Sequence, residues 1–142
     1  MFYNSTTTLP EKETKEKYIF LAGSMDTDKL NCWRRQSIDY LQSNYHIFDP
    51  THKEHDTLNE LQMKKHVEWE LDALNIADII ILNFLPNALS PISLVELGLH
   101  VASAKLIVIC PKEFYQSCYV TTLCKKYNTP IFLTLQQALN TF

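Results

Sequence analysis

The chain reads as an α/β protein built on a doubly wound parallel sheet, and three observations carry that reading. Five short apolar segments recur along it: YIFLA at 18–22, YHIF at 45–48, IIIL at 79–82, KLIVIC at 105–110 and PIFL at 130–133, with helical patterns between them. The central ones are nearly unbroken apolar runs, as a strand covered by helices on both faces requires. Turn formers close the first four of them: Gly23-Ser24, Asp49-Pro50, Asn83 leading to Pro86, and Pro111. Such alternation predicts a single domain with five parallel strands, flavodoxin-like in size.

Composition narrows the function classes. With 142 residues, 46% of them hydrophobic, the chain suits one compact domain. A net charge of −3 supplies no broad basic surface, so a nucleic-acid polymer is excluded as a partner while a single nucleotide is not. No apolar run approaches the roughly 20 residues of a membrane span. The opening residues lack the hydrophobic centre of a signal peptide. A soluble, cytoplasmic protein without a membrane partner is expected. Cys32, Cys110, Cys118 and Cys124 show neither metal-ligand nor disulfide spacing, so reduced thiols and no metal site are expected.

Residues 1–17 are polar, with the alternating EKETKEK, and read as a mobile amino-terminal tail before a domain at 18–142. The first strand ends at Gly23, one of two glycines in the chain, where a side chain would hinder a tight turn or a ligand's approach. Leu30, Trp33, Ile38 and Leu41 then form a helical stripe with Arg34 and Arg35 beside it. After YHIF, the segment THKEHDTLNE reads as a solvated loop. Its His52 and His55 lack a third ligand for a metal. From Glu60 a helix carries Leu61, Val67, Leu71 and Leu74 as its stripe, flanked by Met63 and Trp69. Glu68, Glu70 and Asp72 near its carboxyl end oppose the helix dipole, which marks one of them as kept for another purpose.

The chain is organised around 77–100, ADIIILNFLPNALSPISLVELGLH. The strand IIIL leads through a turn into a helix with Leu94, Leu97 and Val101 at helical spacing, so Glu96 lies in its first turns. In open α/β sheets ligands bind at this carboxyl edge. Ser93 and Glu96 also have capping-box spacing, and on this segment alone both readings stand. Beyond KLIVICP, KEFYQSCYV forms a second loop at the same edge, in which Tyr115 is the aromatic residue best placed to stack on a planar ligand. A short helix to Tyr127, the strand PIFL and a helix from Gln136 complete the chain.

LAGS after the first strand, WE on the helix between, SPISLVELG after the AD-plus-aliphatic strand, and CP closing the next strand stand in this order. Together they resemble the nucleoside 2-deoxyribosyltransferase family, in its nucleoside 2-deoxyribosyltransferase-like branch, over residues 18–139. That branch is related to the deoxynucleotide N-hydrolases. The resemblance implies the strand order 2-1-3-4-5, so that Gly23, Ser24, Ser90, Ser93 and Glu96 face one crevice and Glu70 approaches it from the preceding helix.

It also implies a chemistry for two carboxylates. Glu96 would attack the anomeric carbon of an N-glycoside and form a glycosyl-enzyme, and Glu70 would exchange a proton with the base. The helix amino terminus would keep Glu96 ionised, and burial would keep Glu70 protonated. A second nucleobase completes transfer and water completes hydrolysis, with no cofactor. The implied partners are a small-molecule nucleoside or nucleotide, a free nucleobase, and further copies in a homo-oligomer, dimer or higher.

The chain also departs from the family pattern. Glu70 stands where many relatives carry Asp, and Cys118, Tyr119 and Val120 replace a Gly-Asn-Val piece. Ser90, six positions before Glu96, replaces an acidic residue that contacts the sugar in the transferases proper. In the hydrolases a serine there helps hold a 5′-phosphate, beside a helix terminus suited to anions. A deoxynucleoside 5′-monophosphate N-glycosidase is therefore the alternative activity, and a non-catalytic nucleotide-binding module is the alternative class. A phosphorylated receiver lacks its acidic pair at LAGSM, and flavin binding has only fold-level support.

Overall fold

The computed structural model describes residues 1–25 and 32–142. Strands β1 (Phe2–Asn4), β2 (Tyr18–Gly23), β3 (His46–Asp49), β4 (Ile79–Asn83), β5 (Leu106–Ile109) and β6 (Ile131–Phe132) alternate, after the first pair, with helices α1 (Trp33–Leu41), α2 (Glu60–Ile76), α3 (Pro91–His100), α4 (Ser117–Lys126) and α5 (Leu135–Leu139). They form one sheet in the order β1-β3-β2-β4-β5-β6, and every pairing is parallel. The sheet thus has six strands rather than five. The five strands beyond β1 keep the order 2-1-3-4-5, which sets β2 beside β4.

Strand alternation divides the core into two layers. Tyr18, Phe20 and Ala22 of β2, with Ile80 and Leu82 of β4, face α2, α3 and α4 through Leu74, Leu97, Val101, Val120 and Cys124. Ile19, Leu21 and Ile81 face α1 and α5 through Trp33, Leu41, Ala138 and Leu139. Full burial of each such aliphatic side chain stabilises by about 1.5–3 kcal/mol, and nearly every residue of β2 and β4 contributes.

The sixth strand lies in the segment whose composition predicted a tail. Tyr3 packs its ring 5.4 Å from that of Phe48, the indole of Trp69 donates to the Thr7 carbonyl at 3.0 Å, and Lys12 pairs with Asp78 at 2.6 Å. Polar composition hid these few anchoring contacts, and a three-residue strand is too short to show a period. Lying outside β3, the segment covers what would otherwise be a bare sheet edge.

Helix α2 also differs from its expected stripe. Leu61, Val67 and Leu71 are exposed, and the buried residues are His66, Ala73 and Leu74. In α1, Trp33, Arg34, Ser37 and Leu41 are buried, while Leu30 of the expected stripe lies outside the described residues. Helix α4 starts at Ser117, so Cys118, Tyr119 and Val120 are helical rather than part of a loop. No described helix is long and apolar enough to cross a membrane.

Candidate active site

The crevice between the ends of β2 and β4 is shaped first by Gly23. Its φ is +129°, and a Cβ there would stand 2.2 Å from the Asn83 carbonyl oxygen. The glycine is required by the close approach of β4, with the Ser24 N–H donating to that same carbonyl at 2.8 Å. The Ser24 hydroxyl accepts from the Leu85 N–H at 2.8 Å and shares a 2.5 Å hydrogen bond with the Ser90 hydroxyl. Two serines thereby tie the turn after β2 to the turn before α3.

Ser90 is the N-cap of α3 in the left-handed region, φ 54° and ψ 51°, with no side-chain cap bond and Pro91 at the first helical position. The helix therefore begins before Ser93, and the capping box expected of Ser93 and Glu96 does not form. Glu96 is the sixth residue of α3, past the first turn where the helix dipole is felt. Among the described residues its carboxyl has neither hydrogen-bond partner nor ion pair.

Arg34 holds the other wall. Nearly buried, it donates from Nη1 to the Ser24 carbonyl at 3.0 Å, from Nη2 to the Gly23 carbonyl at 3.0 Å and from Nε to the Leu21 carbonyl at 3.3 Å. Its guanidinium lies 4.4 Å from the centre of the Trp33 ring. Burial lowers its pKa, and Asp49, Glu96 and Glu70 oppose that. A guanidinium stays charged under such conditions, so one fixed cation serves both the loop backbone and the two glutamates.

A cavity of about 730 Å³ opens here. Gly23, Ser24, Arg34, Glu70, Ser90, Ser93 and Glu96 all line it. Burial pushes the Glu70 carboxyl up to about 7, against the pull of His55 and Arg34. Burial, and then the charge of Glu70, push Glu96 up to about 7 as well, with Arg34 pulling down. The expected lowering of Glu96 by a helix terminus is thus reversed, because the group sits too deep and too near a second carboxyl. Coupled groups titrate as a pair, and ionising Glu70 makes ionising Glu96 harder.

Tyr115 does not line the cavity. Its hydroxyl donates to the Leu89 carbonyl at 2.9 Å and its ring packs against Phe114, so it braces the β4–α3 turn. Cys118, Tyr119 and Val120 are likewise absent from the lining. His52, Lys53 and His55, read from sequence as solvated, do face the cavity. His66 also lines it, and the sequence reading passed over it. It is buried, with Nε2 3.0 Å from Oε1 of Glu70, and its i,i+4 spacing to Glu70 was the available signal. No group of three His, Cys, Asp or Glu side chains among the described residues is disposed to hold a metal ion.

Fold and crevice together define a single-domain α/β protein that presents a coupled carboxyl pair at the carboxyl edge of its sheet. Residues 16–114, more than half of the chain, match the family model described as nucleoside 2-deoxyribosyltransferase like, and the chain belongs to that family. Both carboxyls and the whole crevice fall inside the matched segment. No curated protein matches the chain. The family points to nucleosides or nucleobases as substrates and to glycosyl transfer or hydrolysis as the type of reaction.

Proposed function

We propose that the protein cleaves the N-glycosidic bond of a deoxynucleoside and transfers the sugar to another base. The observation that carries this reading is the pair Glu70 and Glu96, two carboxyls that line one crevice and are both pushed up by burial. The Glu96 carboxylate attacks the anomeric carbon as the bond to the base nitrogen breaks, and Glu70 gives its proton to the departing base. The glycosyl ester on Glu96 is then displaced by a second base, whose proton returns to Glu70. Arg34 offsets the negative charge that remains on the pair.

A specific observation favours a second reading, hydrolysis of a 5′-monophosphate. His52, Lys53 and His55 bring basic groups to the same cavity as Ser90 and the amino terminus of α3. Incubating the protein with deoxynucleosides and their 5′-monophosphates, with and without acceptor base, separates the two by chromatography. A new nucleoside means transfer. A strong preference for monophosphates, lost in Ser90→Asp, replaces the first reading by the second. If neither product forms, a nucleotide-binding module takes the place of both.

A homo-oligomer fits the same surface. Val67 and Leu71 of α2 and Ile92, Val95 and Leu99 of α3 line the cavity and are exposed, so a second copy seated on them would narrow the mouth and exclude water.

A further inference from the structure

We propose that His66 is the positioning residue of Glu70: its Nε2–H donates to Oε1 and so confines the transferable proton to Oε2. The inference rests on the reading of Glu70 as the proton donor. It starts from a geometry that capping or packing does not explain. The His66 side chain is 5% exposed, with Nε2 3.0 Å from Glu70 Oε1 one turn further along α2. Its other nitrogen, Nδ1, is buried without a partner among the described residues.

The unpartnered nitrogen selects the tautomer. A proton on Nδ1 would leave a buried donor with nothing to receive it, and orphaned donors are rarer than orphaned acceptors. A proton on Nε2 leaves only a ring lone pair unsatisfied and supplies the hydrogen bond to Oε1. An imidazolium would need both protons and again strand the one on Nδ1.

The surroundings agree. The rings of His52 and His55 stand edge-on to His66 at 5.6 and 5.5 Å. Burial and then the charges of His55 and His52 hold its pKa below the ordinary histidine range. A neutral His66 does not compete for the proton of Glu70, but it can donate to that carboxyl both before and after the proton leaves.

The other charged groups that face Glu70 are Arg34 from α1, Glu96 from α3 and His55 from the β3–α2 loop. Arg34 and His55 stabilise the ionised form through space and do not distinguish the two oxygens. Among the described residues, only His66 has a side-chain nitrogen within hydrogen-bond distance of one of them.

The test is carboxyl-carbon NMR of Glu70 across pH in the wild type, His66→Phe and His66→Gln. Removing a donor to the charged form raises a carboxyl pKa, so Phe should move the Glu70 titration up by about one pH unit. Gln, whose amide nitrogen can reach Oε1, should restore it. An unmoved titration in Phe, or a Gln variant that behaves like Phe, overturns the proposal. Nitrogen NMR of the unaltered protein decides independently of whether the variants fold: the Nε2–H tautomer between pH 6 and 8 is expected, and an Nδ1–H tautomer or an imidazolium contradicts it. If the wild type releases no base from any nucleoside, the reading of Glu70 as acid falls, while the carboxyl titration still decides the role of His66.

Discussion

Replacing Glu96 by Gln should make the protein at once inactive and more stable, and the combination is diagnostic. A carboxyl with an ordinary pKa of 4.5 that titrates near 7 when folded binds its proton more tightly in the folded state. Stability is therefore full below about pH 4.5 and falls as pH rises through 7. At about 1.4 kcal/mol per pH unit the cost at pH 8 is somewhat over ~3 kcal/mol for an isolated group. Part of that cost is repulsion from Glu70, and a buried amide needs its own partners, so a net gain of roughly 2 kcal/mol is expected for the variant at pH 8. Below pH 4.5 the gain should vanish. Urea unfolding of both proteins at pH 4.5 and pH 8 measures it, and base release from a deoxynucleoside measures activity. Transfer that survives within about tenfold, a barrier change of only about 1.4 kcal/mol, would refute the nucleophile. A gain equal at both pH values would refute the electrostatic origin of the cost.

Glu70→Ala should slow release of a poorly departing base by 10²- to 10⁴-fold, as expected for loss of a general acid, and should slow an activated base far less. Rate measurements on such a pair check this, and equal slowing of both removes the proton-transfer role. Gly23→Ala should cost more than about 3 kcal/mol, because the added methyl meets the Asn83 backbone at 2.2 Å and the φ is unfavourable. A urea midpoint close to wild type would show that β2 and β4 can separate. Val95→Glu should abolish the proposed self-association in sedimentation at micromolar concentration, and a wild type that is already monomeric and fully active rules that interface out.

Periodicity made the inner sheet legible, since IIIL at 79–82 and YIFLA at 18–22 are apolar on both faces and admit few other placements. It failed on α2 for a physical reason. Val67 and Leu71 obey the same spacing as core residues, but the surface they cover is a cavity wall, and a period cannot tell a packed neighbour from an open cleft. The sequence places Arg34 only beside the α1 stripe and carries no sign that it is buried, since a buried guanidinium is rare. Its burial depends on three carbonyls at the end of β2 that converge only once the strand is in place. The resemblance brought Glu96 and Glu70 to one crevice, but not the shift that one imposes on the other, because that coupling arises from the approach of two helices in space rather than from spacing along either.

The position of Glu96 traces back to the conformation of a single residue. Had Ser93 been the N-cap of α3, Glu96 would be the third helical residue, tied to backbone donors and held as a stable anion by the helix dipole. Such a carboxylate is a cap and a weak nucleophile. The left-handed Ser90 and the proline after it start the helix earlier instead, which carries Glu96 past the first turn to the wall of the crevice. A non-glycine residue in that region is strained by about 1–3 kcal/mol and persists only where its surroundings hold it. Here Ser24 bonds to Ser90 and to the Leu85 N–H, while Tyr115 anchors the Leu89 carbonyl. Thus Tyr115 bears on the site without touching the cavity: it fixes the turn that sets the start of α3, and the start of α3 decides whether Glu96 is a cap or a free carboxyl.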